Sequence, residues 1–216
     1  MNLAIFDLDN TLIAGDSDYL WGEFLVEQGV VEPAYFAEND RFYQEYKAGR
    51  LNIGEFLRFA LKPLSEHALE VLLDWREQFI LEKIRPILLP AAQDLIERHR
   101  AGGDLPLVIT ATNRFVTEPI VGLYGIEHLI ATSPELADGR YTGDFVGEPC
   151  FREGKVKRLE AWLQEHQCGL EGSWFYSDSH NDIPLLSVVS NPVAVDPDET
   201  LAAYAQEQGW PVISLR

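Results

Sequence analysis

Leu3-Ala4-Ile5-Phe6-Asp7-Leu8-Asp9-Asn10-Thr11-Leu12 opens with an unbroken apolar run and then turns abruptly acidic. A run of this kind fits a strand buried on both faces, as in a parallel sheet, because neither side needs polar residues. The next clear strand is Leu105 to Ile109. Residues 17 to 85 between them carry aromatics, Leu and Glu at helical spacing and no strand signal. Ser17 is placed to cap a first helix that Gly29 ends, and Pro33 opens a second. Asn52 caps a third that stops near Pro63, and Ser65 caps a fourth that runs towards Arg85.

After Pro90 a strand and helix rhythm resumes. Helices are expected at 90–99, 114–124, 155–166, 183–189 and 199–208, with strands at 128–131, 174–176, 193–195 and 212–213. Asp138-Gly139 marks a hairpin. The expected fold class is α/β, a doubly wound and mainly parallel sheet with an inserted helical segment. The boundaries follow: residues 1–14 and 86–216 form the α/β core, and 15–85 the insert.

The 216 residues are 46% apolar and 24% charged, an ordinary globular balance. Lys and Arg number 17 against 35 Asp and Glu, a net charge of −18. Such a surface repels nucleic acid and anionic lipid, so neither is expected as a partner. A phosphorylated ligand would need local positive charge. Cys150 and Cys168 make no disulfide framework or zinc ribbon. The N-terminus lacks the basic and apolar regions of a signal peptide, and no run is long enough to span a membrane. The expectation is a cytoplasmic protein, its oligomeric state left open.

In doubly wound sheets ligands bind beyond the carboxyl ends of the strands. Asp7 and Asp9 follow the first strand, Thr110-Ala111-Thr112 the second, and Ser177-Asp178 the strand at 174–176, with Asp182 four residues on. Lys155 begins the helix before that strand. Carboxylates crowded onto one rim repel unless a cation sits among them, and oxygen-only donors suit Mg²⁺.

Asp7-Leu-Asp-Asn-Thr11, Thr110, Lys155 and Asp178-Ser-His-Asn-Asp182 together resemble the four motifs of the haloacid dehalogenase superfamily. Ser177 stands where the fourth motif more often has Gly. A helical insert directly after the first motif is similar to the cap of the phosphoserine phosphatase-like branch. The resemblance covers nearly the whole chain. It implies a Mg²⁺-dependent phosphatase acting on a small phosphorylated metabolite through an aspartyl-phosphate. Asp7 would be nucleophile and Asp9 general acid/base. Thr110, Lys155 and the backbone N–H groups from Ala111 on would hold the phosphoryl oxygens. Asp7, the Asp9 carbonyl and Asp178 would ligate the metal, with Asp182 orienting them. Asp16 would either cap the first insert helix, a duty Ser17 or Asp18 can share, or face an amine of the substrate, as an acidic residue does in that branch. Phosphoserine would then also need a cation, for which Arg41, Arg50 and Arg58 are the insert's candidates; histidinol phosphate would not. Trp21, Phe24, Tyr43, Tyr46 and Phe56 read as core of the insert, one or two of them lining the cavity. Asn10, Asn181 and His180 read as loop residues. The alternatives are a phosphotransferase using the same intermediate, or a silent binding protein on this fold.

Overall fold

A computed structural model describes residues 2–216. Six parallel strands form one sheet in the order β3-β2-β1-β6-β7-β8. They are β1 (Leu3–Phe6), β2 (Leu105–Thr110), β3 (His128–Ala131), β6 (Trp174–Ser177), β7 (Asn191–Val195) and β8 (Val212–Ile213). β1 sits centrally, with Phe6 in register with Val108 on one side and Tyr176 on the other. The order of strands reverses there, so the crevice beyond Phe6 is the topological switch point.

The first strand is apolar throughout because both faces are covered. Leu3 and Ile5 pack with Leu107, Ile109, Phe175 and Ala194. Ala4 and Phe6 belong to the opposite layer with Val108, Tyr176 and Val193, which is continuous with Trp21, Phe24, Leu61 and Phe79 of the insert. Alternation of period two splits one continuous run between two cores. The helices around the sheet are α5 (Pro90–Ala101), α6 (Arg114–Leu123), α7 (Glu153–His166), α8 (Ile183–Leu186) and α9 (Glu199–Gln208). A hairpin of β4 (Ser133–Ala137) and β5 (Arg140–Val146) turns at Asp138-Gly139, both at positive φ.

The insert after β1 carries α1 (Ser17–Glu27), α2 (Ala34–Lys47), α3 (Ile53–Glu66) and α4 (Leu69–Phe79). Two expectations fail here, and among the caps offered for α1 one is selected. Asp16, not Ser17, is the N-cap of α1, accepting from the Tyr19 N–H. α3 does not stop near Pro63 but runs through it to Glu66, because Leu61 and Leu64 on either side are buried. Packing there outweighs the lost backbone hydrogen bond. Ser65 therefore lies inside α3 and donates to the Lys62 carbonyl, and α4 starts at Leu69 with no side-chain cap. α8 also ends earlier than expected, at Leu186. Among the described residues no helix is long and apolar enough to cross a membrane.

Candidate active site

The rim is built where β1, β2 and β6 end. The Asp7 N–H still donates to the Tyr176 carbonyl, so the backbone holds Asp7 to the sheet one residue past the strand. The chain then coils: Leu12 and Ile13 donate to the Leu8 carbonyl, and Asn10, at φ +56°, donates to the Gly15 carbonyl. This tight turn carries Asp9 and Thr11 back to the rim. Asn10 thus has the loop-shaping role expected of it.

Lys155 ties the rim together. Its Nζ donates to Asp7 Oδ1 at 2.7 Å and to the Asp182 carboxylate at 2.8 Å, with all three side chains buried. Ser177 Oγ donates to Asp182 Oδ2 at 2.7 Å. The Ser in place of the family's more frequent Gly therefore has a job, fixing Asp182. Lys155 reaches the rim because Gly154 precedes it. A Cβ at Gly154 would fall against the Pro149 carbonyl oxygen, far inside van der Waals contact. Arg152, at φ +50°, makes the turn into α7 and donates through Nε to Asn181 Oδ1 at 3.0 Å.

Asp9 forms a second group. Its Oδ2 accepts from Thr112 Oγ1 at 2.9 Å and Thr110 Oγ1 at 3.2 Å, and its Oδ1 from the Ser17 N–H at 2.6 Å. The first turn of α1 is thereby bound to the first motif. Thr11 Oγ1 donates to Asp178 Oδ1 at 3.2 Å and accepts from the Asp178 N–H at 3.1 Å, which links the first and fourth motifs. Thr112 and Thr11 were given no role by sequence reasoning. Their signal was position, since each lies one turn past a strand end.

The electrostatics are lopsided. Burial, with Asp182 and Asp9 adding repulsion, pushes Asp7 up to about 8 although Lys155 pulls the other way. Burial and the charges of Asp7 and Asp182 hold Asp178 well above the ordinary carboxylate range. Burial alone would lower Lys155, but Asp182 and Asp7 keep its ammonium above its usual value. One ammonium thus serves three mutually repelling carboxylates, Asp7, Asp178 and Asp182. Among the described residues no group of three His, Cys, Asp or Glu side chains is placed to hold a metal by itself. A cation here would have to draw on backbone oxygen and water as well, which is the habit of Mg²⁺.

Above the rim lies a cavity enclosing about 580 Å³, including the solvent at its mouth. Asp7, Asp9, Thr110, Ala111, Thr112 and Lys155 form its floor. Asp16, Asp18, Asn39, Tyr43, Tyr46 and Phe56 from the insert are among its walls. Of the aromatics read as core, Trp21 and Phe24 are buried away from it, while Tyr43, Tyr46 and Phe56 line it. Among the described residues Lys155 is the sole Lys, Arg or His lining it. Arg41 pairs outside with Glu38 and Glu45, Arg58 stands exposed near Asp144, and Arg50 is exposed. Asp178 and Asp182 sit behind the floor rather than in the wall; Asp178 opens instead onto a neighbouring groove with His180 and Asp198. His180 bonds Asp198 through Nδ1 at 2.7 Å and does not line the main cavity. Burial first, then Asp9, pushes Asp16 up to about 7, with its backbone hydrogen bonds and Lys47, stacked over the Tyr43 ring, pulling the other way. Asp18 is raised well above its ordinary value by burial and by Asp16 and Asp9.

The profile of the haloacid dehalogenase-like hydrolases matches residues 4–187. A histidinol-phosphatase of Neisseria meningitidis serogroup C is 46% identical over 220 residues, covering 100% of this chain and 99% of its own. A crystal structure of a protein of unknown function from Bordetella pertussis Tohama I superposes with a TM-score of 0.94 at 45% identity, covering 100% and 99% of the two chains. A substrate-bound phosphoserine phosphatase shares the fold, with a TM-score of 0.71 at 19% identity over 100% of this chain and 93% of that one.

Proposed function

The chain belongs to the haloacid dehalogenase-like hydrolases and is a phosphatase; from that premise we propose that its substrate is an amine-bearing phosphomonoester without a carboxylate, histidinol phosphate being the leading case. The observation that carries this is the cavity wall: Asp16 and Asp18 at the insert end, and, among the described residues, no lining Lys, Arg or His apart from Lys155 on the floor, Lys47 lying over the Tyr43 ring instead. A substrate carboxylate would be desolvated against two carboxylates. The 46% identity to a histidinol-phosphatase points the same way. The −18 charge, and a cavity closed over by the insert, favour small metabolites over nucleic acid or lipid.

In this reading residues 15–85 are a cap over a core of 1–14 and 86–216. Asp7 attacks phosphorus, the phosphorus–oxygen bond to the leaving group breaks, and an aspartyl-phosphate forms. Asp9 protonates the departing oxygen, then takes a proton from the water that cleaves the intermediate. Thr110 and Thr112 aim Asp9 by their hydrogen bonds. When substrate arrives, Lys155 and the backbone N–H groups after Thr110, including that of Ala111, hold the phosphoryl oxygens. Asp182 and Ser177 keep Lys155 in place. Phosphatases of this family generally use Mg²⁺, and the surplus of carboxylate on the rim fits it. Asp7, Asp178 and the Asp9 carbonyl would hold the ion, which when bound neutralises charge on the phosphoryl group.

Phosphate release from a panel of phosphomonoesters tests the proposal. Histidinol phosphate should show the highest kcat/KM, with activity lost on chelation and restored by Mg²⁺ but not Ca²⁺. Preference for phosphoserine would refute the substrate class, and full activity without metal would refute the ion.

A further inference from the structure

Among the described residues two buried side-chain atoms have no hydrogen-bond partner, Ser17 Oγ and Asp18 Oδ2. Only Asp18 also lines the cavity. It is 8% exposed, and the charges it meets are those of Asp16 and Asp9, both of its own sign. A buried carboxylate oxygen with no donor is costly, and native structures seldom retain one without a use.

The ordinary use of an acidic residue in a first helical turn is to favour the N–H groups there. That need is already met. Asp16 caps α1 through the Tyr19 N–H at 2.9 Å, and Asp9 takes the Ser17 N–H. Asp18 is turned inward instead, and α2 closes against it. Asn39 donates from Nδ2 to the Tyr19 carbonyl at 3.0 Å. Gly22 permits that approach, since a Cβ there would stand 2.5 Å from Asn39 Nδ2. The first turn of α1 is thus locked with one acceptor unfilled.

Resting on the substrate class proposed above, we infer that Asp18 is a specificity-determining residue whose carboxylate receives an N–H of the substrate's cationic end, beside Asp16. Asp16 has one oxygen committed to its cap, so a substrate presenting more than one N–H needs a second acceptor. A protonated heterocycle or ammonium supplies the missing donor, and Tyr43 and Phe56 supply flat apolar walls for a ring. The phosphate stays with Lys155 on the floor. Asp18 therefore decides which phosphomonoesters are taken up, and the rim decides how fast they react.

The test compares wild type with Asp18→Asn, both loaded with Mg²⁺, on histidinol phosphate and on p-nitrophenyl phosphate, which has no cation. The variant should lose roughly 30-fold in kcat/KM on histidinol phosphate, about 2 kcal/mol, mostly through KM. The loss on p-nitrophenyl phosphate should be at least about tenfold smaller. Without ligand, Asp18→Asn should melt higher than wild type, because an amide replaces an unpaired buried charge. Equal losses on both substrates would make Asp18 structural and overturn the inference. So would a wild-type preference for histidinol phosphate that Asp18→Asn retains, which leaves the proposed substrate class standing. A wild type without that preference removes both. Should Asp18→Asn be insoluble, Asp18→Ser carries the same comparison.

Discussion

The floor and the wall of the cavity are both acidic, yet they are built oppositely. On the floor Asp7 shares Lys155 with Asp182 behind it, Asp9 accepts from Thr110, Thr112 and the Ser17 N–H, and Asp178, also behind, is bonded to Thr11. On the wall Asp16 has only its cap, and Asp18 Oδ2 has nothing. The floor's carboxylates already have hydrogen-bond partners within the protein; the wall leaves an acceptor unfilled. The difference separates what the chemistry needs, fixed geometry, from what selection needs, an unfilled acceptor that only the right ligand fills.

The largest effects should come from breaking the floor. Asp7→Asn should lower kcat by at least about 10³-fold on every phosphomonoester, because an amide cannot form the covalent intermediate. Circular dichroism should show the fold retained, and turnover within tenfold of wild type would contradict the assignment. Lys155→Met should abolish turnover and also weaken the fold. Removing one partner of a buried pair costs about 3–5 kcal/mol, read by urea unfolding. Combining Lys155→Met with Asp7→Asn should recover part of that loss, and strict additivity would show that the two are not coupled.

Gly154→Ala tests how the floor is positioned. The new methyl meets a backbone carbonyl that has no way to yield, so α7 and Lys155 must shift. A displacement near 1 Å costs about 10²-fold, so kcat should fall by roughly that factor while Mg²⁺ dependence persists.

The wall should show itself in pH. Asp16 has a folded pKa of about 7, above the ordinary 3.8, and Asp18 is also raised. Between those values the folded chain binds more protons than the unfolded one. Ligand-free stability should therefore be greatest near pH 4 and fall as pH rises towards 7. In Asp18→Asn the fall should be shallower, as measured by thermal melts across that range; an unchanged slope would mean Asp18 carries no buried charge. The smallest effect concerns the tie between insert and rim. Tyr46→Phe removes the bond to Ser179 Oγ and should cost about 1 kcal/mol and raise KM a few-fold with kcat little changed.

Much of the floor was legible in the sequence because each residue sits at a strand end, and a parallel sheet collects strand ends on one side. Asp7, Thr110 and Asp178 follow from that rule with no tertiary information, while Lys155, in the first turn of a helix, was marked by the motif resemblance. The wall was less legible. Asp16 was seen as either a cap or a substrate contact, and the structure gives it the cap and a place on the cavity. Asp18 was read only as a possible sharer of the cap, since its significance is an unpaired oxygen and no pattern records a missing partner. The helix ends at Pro63 and Ser65 were misplaced because burial of Leu64 overrode local chemistry. Gly154 gave no signal, since the carbonyl it accommodates comes from a loop five residues earlier.

The contrast between floor and wall is tested most directly by two substrates that differ by one carboxylate. O-phosphoethanolamine and O-phosphoserine carry the same phosphate and the same amine. Their kcat/KM values should be measured side by side with Mg²⁺. With Asp16 and Asp18 on the wall, and no Lys, Arg or His among the described residues lining it there, phosphoethanolamine should be favoured by at least about tenfold. Phosphoserine turned over equally well, or better, would contradict the account.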